Sequence, residues 1–478
     1  MIYDLESIKK IVARLILIDI GSIDFLYKYP FAGYILFYKD LKDLDFEGIK
    51  EFNLYNRKVY LEKFGVNLIR SIDQEGGVVF RFDFEDYPAI CSQWVINNES
   101  DCFNLAYFNG VILKLGGFNL NFSPVLDINS NVDNPIIGVR SFGNNYEKVL
   151  NLSKVFIEGY KRSGILCCGK HFPGHGSTSV DSHLSLPKTR VNIDELNVFL
   201  NNLENLDSIM TAHIVYEDID VFPATLSKKV LELIYQRDYK GVIFSDALNM
   251  LALSGFEFDK LLIKALEAGV DILLVFGEDD KKEQAINIIS NYALRNNYFL
   301  EILVSKYHKV NNFINTINEG IDESIFRNYE KLRFWFYNEF NFSPFLVGDI
   351  DKFRLNLRDS INFVFANSYL NEIGVVDKIK KFINKGEVYF VNLDEFVREK
   401  KKFFLDKVNG GKSVNLFYVP IYKDLNFIDF VNSLREKGLR DINLITFANP
   451  FFDNLKVDVR MDIFGFSNIH LKKLNMIF

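Results

Sequence analysis

Seven short apolar segments constrain the fold of this 478-residue chain more than any other feature. Each is long enough for a buried strand, about four to eight residues. Longer segments with helical periodicity separate them, for example residues 145–164. This alternation predicts βα units built on a parallel sheet. The seven segments are 33–38, 67–73, 118–128, 164–172, 207–214, 241–248 and 271–276.

Polar residues follow several of these segments at the point where a strand would end. They include Asp73, Lys170 with His171, His213, Asp246 and the carboxylate of "SPVLD". A TIM-type (β/α)8 barrel builds its site from the loops at the C-terminal ends of its strands, whereas a doubly wound sheet binds ligands at one switch point. Polar residues at so many strand ends therefore favour the barrel, complete or imperfect. No G-x-G-x-x-G or Walker motif supports a nucleotide site.

The pattern changes around residues 315–345, which are helical, aromatic and charged. Four more apolar segments follow, with helical segments between them, and they predict a second, smaller α/β domain. We therefore expect a catalytic barrel over residues 1–335 and the smaller domain over 336–478. The four segments are 360–367, 386–393, 413–421 and 442–451.

Charge and cysteine usage narrow the class of protein. The net charge of −7 argues against a broad nucleic-acid-binding surface. The four cysteines form no C-x-x-C pair, which predicts buried thiols in a reducing compartment. Residues 1–21 are interpreted as an amphipathic helix and not a signal peptide, and no apolar run reaches the roughly 20 residues that span a bilayer. We expect a cytoplasmic protein without membrane contact, and we favour a monomer.

Residues 170–187, "KHFPGHGSTSVDSHLSLP", hold three of the six histidines: His171, His175 and His183. Asp181 precedes His183 by two positions, so its carboxylate can bond one imidazole nitrogen and leave the other to move protons. Asp246 supplies a carboxylate nucleophile at a strand end. The remaining candidates are charged or polar groups suited to sugar hydroxyls: Asp73, Glu75, Arg81, Arg140, Lys170 and His171.

These residues resemble the bacterial β-N-acetylhexosaminidases of glycoside hydrolase family 3. The resemblance covers roughly residues 30–280. Seven blocks occur in the family's order, which is far more specific than D-S-H alone. They are "ILFYKD", "IDQEGGVVFRF", "SPVLDINSNVDNPIIGVRSFG", "GKHFPGHGSTSVDSHLSLP", "MTAHIVYEDID-VFPATLS", "GVIFSDALNM" and "EAGVDILLV".

The resemblance implies a retaining hydrolase that removes terminal β-linked N-acetylglucosamine, usually from peptidoglycan fragments, without a cofactor or metal. It implies that Asp246 is the nucleophile and that His183, backed by Asp181, is the general acid/base. The sugar-binding positions that it implies are Asp73, Arg81, Arg140, Lys170 and His171. The glycines of "FPGHG" are expected to let the loop carry His183 into and out of the site.

The chain departs from the family pattern at two positions near these blocks. Ala247 stands where many members have a second aspartate, and Val78 where many have an arginine. The C-terminal part echoes the family's second domain weakly, and it is interpreted as a reduced version of that domain with a structural role.

Three other functions remain open at this point. A phosphorylase would keep the covalent intermediate and use phosphate as acceptor, since an imidazole repels phosphate less than a carboxylate does. A metal-dependent barrel hydrolase could use the histidines with Asp181 and Asp246, although no H-x-H or H-E-x-x-H spacing occurs. A non-catalytic saccharide-binding relic is the third alternative, and the joint presence of Asp246, Asp181 and His183 argues against it.

Overall fold

The structure is a computed structural model that describes two regions of the chain. The N-terminal region is described over residues 3–179, 182, 185–321 and 323–340. The C-terminal region is described at 345–348, 361–366, 387–392, 414–418, 425–436, 439, 442–446 and 459–462.

Eight parallel strands of the N-terminal region form a closed barrel in the order β1-β10-β9-β7-β5-β4-β3-β2, and β6 pairs with β8 apart from it. Nearly every barrel-strand residue is buried, which explains why these strands are continuous apolar segments and not alternating ones. The strands are β1 (Ile16–Asp19), β2 (Gly33–Leu36), β3 (Ile69–Ile72), β4 (Leu120–Asn121), β5 (Leu166–Phe172), β6 (Lys188–Thr189), β7 (Ser208–Thr211), β8 (Val215–Tyr216), β9 (Val242–Ala247) and β10 (Ile272–Val275).

Helices surround the barrel, and capping residues mark the ends of several of them. The helix of residues 146–163 begins where the Asn145 side chain accepts a hydrogen bond from Lys148 N–H, and it ends at Gly164 with a φ of 76°. The helices are α1 (Leu5–Ala13), α2 (Ile23–Leu26), α3 (Tyr38–Leu41), α4 (Phe46–Phe64), α5 (Glu99–Leu115), α6 (Tyr146–Ser163), α7 (Ile193–Leu200), α8 (Lys228–Tyr235), α9 (Phe258–Ala268), α10 (Asp279–Arg295), α11 (Asn297–Asn315) and α12 (Glu323–Asn338). Within the described residues, none of the helices is long and apolar enough to cross a membrane.

The (β/α)8 barrel is confirmed, and all seven predicted segments contain a barrel strand. The eighth strand, β1, lies within residues 1–21, where the sequence predicted a single amphipathic helix. That prediction is right for α1 and wrong beyond it. The apolar run Ile16–Ile18 is buried between β2 and β10, and it follows α1 so closely that the sequence shows no boundary between helix and strand.

The C-terminal region contains a six-stranded sheet in the order β11-β16-β15-β14-β12-β13. All its neighbours are parallel except β11 and β16. The four predicted segments correspond to β12, β13, β14 and β15, while β11 and β16 lie in segments that the sequence did not mark. The elements are β11 (Phe345–Gly348), β12 (Ile361–Ala366), β13 (Glu387–Asn392), β14 (Val414–Tyr418), α13 (Leu425–Glu436), β15 (Ile442–Thr446) and β16 (Val459–Asp462).

Helix α12 runs across the boundary that the sequence predicted between residues 335 and 336. Phe336 on this helix belongs to the same buried cluster as the barrel strands, and its ring centroid lies 5.1 Å from that of Phe108 on α5. The division of the chain into two domains at this point stays a prediction.

Candidate active site

The candidate residues that the structure describes lie at or just beyond the C-terminal ends of five consecutive barrel strands, β3, β4, β5, β7 and β9. Asp73 follows β3, Lys170 and His171 lie in the last part of β5, and Asp246 lies near the end of β9. Parallel strands in a closed barrel direct these ends to one mouth, where such folds carry their sites. Residues separated by long stretches of sequence therefore line one opening.

Lys170 is the centre of a buried charge cluster at this mouth. Its Nζ lies 2.9 Å from Asp73 Oδ1 and 2.6 Å from Glu75 Oε1. Arg81 Nη2 donates to Asp73 Oδ2 at 3.1 Å. Arg140 donates to Glu75 through Nε and Nη2, both at 2.9 Å, in a bidentate pair. Three cations thus share two carboxylates in a site that is largely closed to water.

The charges in this cluster hold one another in their ionised forms. Burial alone would raise the pKa of Asp73, but Lys170 and Arg81 outweigh it and lower that pKa. Burial likewise opposes ionisation of Glu75, and Arg140 with Lys170 brings its pKa well below the ordinary value. The pKa of Lys170 is raised, because its two carboxylates outweigh the effect of burial. Both carboxylates are therefore fixed acceptors near neutral pH.

Asp127 belongs to the site, although the sequence did not predict a role for it there. It is fully buried, its Oδ2 lies 2.7 Å from His171 Nδ1, and it accepts the backbone N–H of His175 at 2.7 Å. A carboxylate on Nδ1 fixes the orientation of the His171 ring. Burial would raise the pKa of Asp127, but His171 lowers it overall. The sequence signal was the carboxylate that ends "SPVLD".

The glycines of "FPGHG" lie in closely packed surroundings. A Cβ on Gly176 would lie 1.5 Å from the carbonyl oxygen of Ile128, and one on Gly174 would lie 2.4 Å from a carboxylate oxygen of Glu195. The Gly176 N–H donates to Glu195 at 3.1 Å, and the Tyr216 hydroxyl donates to the Gly174 carbonyl. These glycines allow close buried packing at the base of the loop. The expected movement of the loop on them stays a prediction.

Asp246 and His213 both contact the backbone of Ala247, near the end of β9. Asp246 is partly exposed at the mouth, and its Oδ1 accepts the N–H of Ala247 at 2.7 Å. His213 is buried, its Nε2 lies 3.1 Å from the Ala247 carbonyl, and its Nδ1 lies 2.8 Å from Thr225 Oγ1. A carbonyl only accepts, so Nε2 carries a proton and His213 fixes the backbone beside Asp246.

Asp181 and His183 lie outside the described residues, and the acid/base pair stays a prediction. Ser182 between them is described and buried, and its hydroxyl oxygen lies 3.1 Å from His175 Nε2. Within the described part of the chain, no three His, Cys, Asp or Glu side chains are grouped to hold a metal. The ring nitrogens of His175 and His213 have protein partners instead.

A model of the N-terminal domain of glycosyl hydrolase family 3 matches residues 12–300. The match covers more than half of the chain and contains the whole barrel.

The chain belongs to glycoside hydrolase family 3.

A β-hexosaminidase from Idiomarina loihiensis is 35% identical over 222 residues, which are 44% of this chain and 67% of that relative. A family 3 β-N-acetylglucosaminidase from a Paenibacillus species has a similar structure, with a TM-score of 0.80, 23% identity and coverage of 98% of this chain and 96% of the other. The β-glucoside phosphorylase BglX shares the fold at 17% identity, with a TM-score of 0.71 over 98% of this chain and 91% of that one.

Proposed function

We propose that this family 3 protein is a retaining exo-β-N-acetylglucosaminidase that removes terminal β-linked N-acetylglucosamine from fragments of peptidoglycan. The observation that carries the proposal is the barrel order, because it brings the partly exposed Asp246 on β9 to the same mouth as the charged cluster of β3 and β5. Similarity to the β-hexosaminidase of Idiomarina loihiensis gives the substrate class.

In the first step, the Asp246 carboxylate attacks the anomeric carbon, and the bond to the leaving oxygen breaks. His183, with Asp181 behind it, gives its proton to that oxygen, so the alcohol leaves neutral. In the second step, His183 takes a proton from water, the water oxygen bonds to the anomeric carbon, and the Asp246 carboxylate is released. Two inversions at one carbon retain the β configuration.

The charged cluster is the proposed binding site for the sugar hydroxyls. Asp73 is held ionised by two cations, so it accepts hydrogen bonds from hydroxyl groups. Lys170, Arg81 and His171 are the proposed donors and acceptors around it. Arg140 is a proposed substrate contact too, although its Nε and Nη2 already pair with Glu75. Arg140 also has an indirect role. It holds Glu75, and Glu75 in turn holds Lys170 in position.

The test uses the full chain and a chromogenic β-N-acetylglucosaminide. Wild-type protein should release the chromophore, and Asp246→Asn should lose about a thousandfold or more of the rate. Asp259→Asn, an exposed aspartate on α9, is the matched control and should keep wild-type activity. Early proton NMR of the product should show the β anomer. Folded wild-type protein that releases no sugar from this substrate or from muropeptides would refute the proposal.

The same assay separates hydrolysis from phosphorolysis. We expect free N-acetylglucosamine as the product with and without phosphate, because water is the acceptor in the proposed reaction. Accumulation of the sugar 1-phosphate when phosphate is added would instead identify a phosphorylase, which shares every step up to the covalent intermediate.

We also propose that the protein acts in the cytoplasm. Cys91, Cys102, Cys167 and Cys168 are all free thiols, and all are buried, as the sequence predicted. Thiols without disulfides suit a reducing compartment. Fractionation of the producing cells should place the activity with a cytoplasmic marker enzyme, and release of the activity with periplasmic contents would contradict this location.

A further inference from the structure

Ser182 stands between the two residues of the proposed acid/base pair, and two hydrogen bonds hold it. Its hydroxyl oxygen lies 3.1 Å from Nε2 of His175. Its carbonyl oxygen accepts the N–H of Ala252 at 3.3 Å. Ala252 lies in the short 3₁₀ helix Leu251–Leu253, which follows β9 and Asp246 in the chain. Ser182 is therefore joined to the base of its own loop and to the segment that follows Asp246.

The hydrogen bonds around Thr178 determine which nitrogen of the His175 ring carries the proton. Thr178 Oγ1 donates its only hydrogen to the His175 carbonyl at 2.9 Å. The same oxygen lies 2.8 Å from His175 Nδ1, so it accepts from an Nδ1–H group. Nε2 of the neutral ring then has a lone pair, and the Ser182 hydroxyl donates to it.

The environment of His175 keeps its ring neutral. Burial lowers its pKa to about 4, the nearby His171 ring and Arg140 act in the same direction, and Asp127 opposes them. A ring with this pKa stays neutral at physiological pH, so it is a constant acceptor and not a proton carrier.

His175 is itself held firmly. Its N–H donates to Asp127 at 2.7 Å, and its carbonyl accepts from Asn134 Nδ2 at 2.7 Å. Asp127 also holds the ring of His171, whose centroid lies 5.8 Å from that of His175. One buried carboxylate thus joins the proposed sugar-binding histidine to the histidine that holds Ser182.

We propose that His175 is a positioning residue, which accepts the Ser182 hydroxyl and thereby sets where the chain holds Asp181 and His183. This inference rests on the proposed function, because it takes Asp181 and His183 as the acid/base pair. His175 acts through Ser182 and does not contact the reacting atoms.

Two amide substitutions of similar size test the two ring nitrogens of His175 separately. In His175→Asn the amide nitrogen replaces Nδ1 and leaves Ser182 without its acceptor, while in His175→Gln the amide oxygen replaces Nε2. A misplaced acid affects poor leaving groups most, since a good one departs without a proton. We expect His175→Asn and Ser182→Ala to lose about 10- to 100-fold in kcat/KM on an N-acetylglucosamine disaccharide, against less than about threefold in kcat/KM on the 2,4-dinitrophenyl glycoside. The ratio kcat/KM reports the first step alone, whereas kcat also contains the second step, in which His183 acts as the base for either substrate. KM for the disaccharide should stay within about twofold, and His175→Gln should keep most of the rate.

The double variant His175→Asn with Ser182→Ala should be no slower than the slower single variant, because both remove one interaction. His308→Gln, an exposed histidine on α11, is the control for histidine removal and should match wild type. Nitrogen-15 NMR should show Nε2 of His175 unprotonated, and its shift should change in Ser182→Ala.

A protonated Nε2 or an unchanged shift in Ser182→Ala would overturn the inference. So would equal losses in kcat/KM on both substrates, or a change confined to the KM for the disaccharide. Wild-type protein that cleaves neither substrate would refute the proposed function. The NMR measurement would still show whether Ser182 donates a hydrogen bond to His175.

Discussion

Lys170 Nζ lies 2.6 Å from Glu75 Oε1, and each side chain is only 3% exposed. Glu75 also binds Arg140 through both carboxylate oxygens. Asp73, which the sequence favoured over Glu75 as a substrate ligand, shares Lys170 with it. Glu75 therefore holds Lys170 and Arg140 in position at the mouth, and it contributes to the site through these two cations.

Glu75→Gln should destabilise the protein by about 3–5 kcal/mol, because it leaves the buried Arg140 without its charge partner and Lys170 with Asp73 alone. The urea midpoint at neutral pH measures the change. Glu47→Gln on α4 is the control, since Glu47 is exposed and pairs with Lys50 at the surface; its change should stay within about 0.5 kcal/mol. Equal effects of the two substitutions would contradict a structural role for Glu75.

The same carboxylate should make stability fall in acid. The pKa of folded Glu75 is lowered from the ordinary 4.5, because Arg140 and Lys170 outweigh burial. As pH falls below 4.5 the unfolded chain takes up a proton first, so the stabilisation present above that pH is lost. The difference in urea midpoint between wild type and Glu75→Gln should narrow between about pH 6 and pH 3. A constant difference would show that Glu75 has the same pKa in both states.

Glu195 should have the opposite dependence on pH. Burial, with the charge of Asp127, raises its pKa from 4.5 to about 8. Between those values the folded state binds more protons, so stability present below pH 4.5 is lost as pH rises to about 8. Glu195→Gln mimics the protonated group and keeps partners for Gly176 N–H and Ser130 Oγ. As pH rises from 4.5 to about 8, the urea midpoint of the variant should fall less than that of wild type. Equal falls in the two midpoints would contradict the raised pKa.

Gly176→Ala should destabilise the protein by about 1–3 kcal/mol or more, because the new Cβ would meet the backbone carbonyl of Ile128 and no flexible side chain could yield. Gly255→Ala is the matched control, since a Cβ there meets nothing within 4 Å. Thermal unfolding measures both variants. If Gly176→Ala were as stable as Gly255→Ala, the close packing at the base of the loop would be disproved.

The sequence predicted the barrel well because a buried strand needs an apolar run, and seven such runs have clear boundaries. It missed β1 because Ile16–Ile18 directly follows a helix of similar composition. It also missed Asp127 as a site residue. A single carboxylate after a strand gives no sign that two histidines of a later loop will bind it.

The sequence alone determined which chemical groups stand at the strand ends: Asp73, Lys170 and Asp246 each follow or end an apolar run. Only the tertiary structure decided which groups meet. Lys170 and Asp73 are 97 positions apart, and Arg140 and Glu75 are 65 apart. Closure of the barrel sets these pairings, since the strand order decides which side chains share one mouth and burial brings the charged ones into contact. Only the tertiary structure shows that the glycines of "FPGHG" are closely packed. The sequence suggested no more than their conformational freedom.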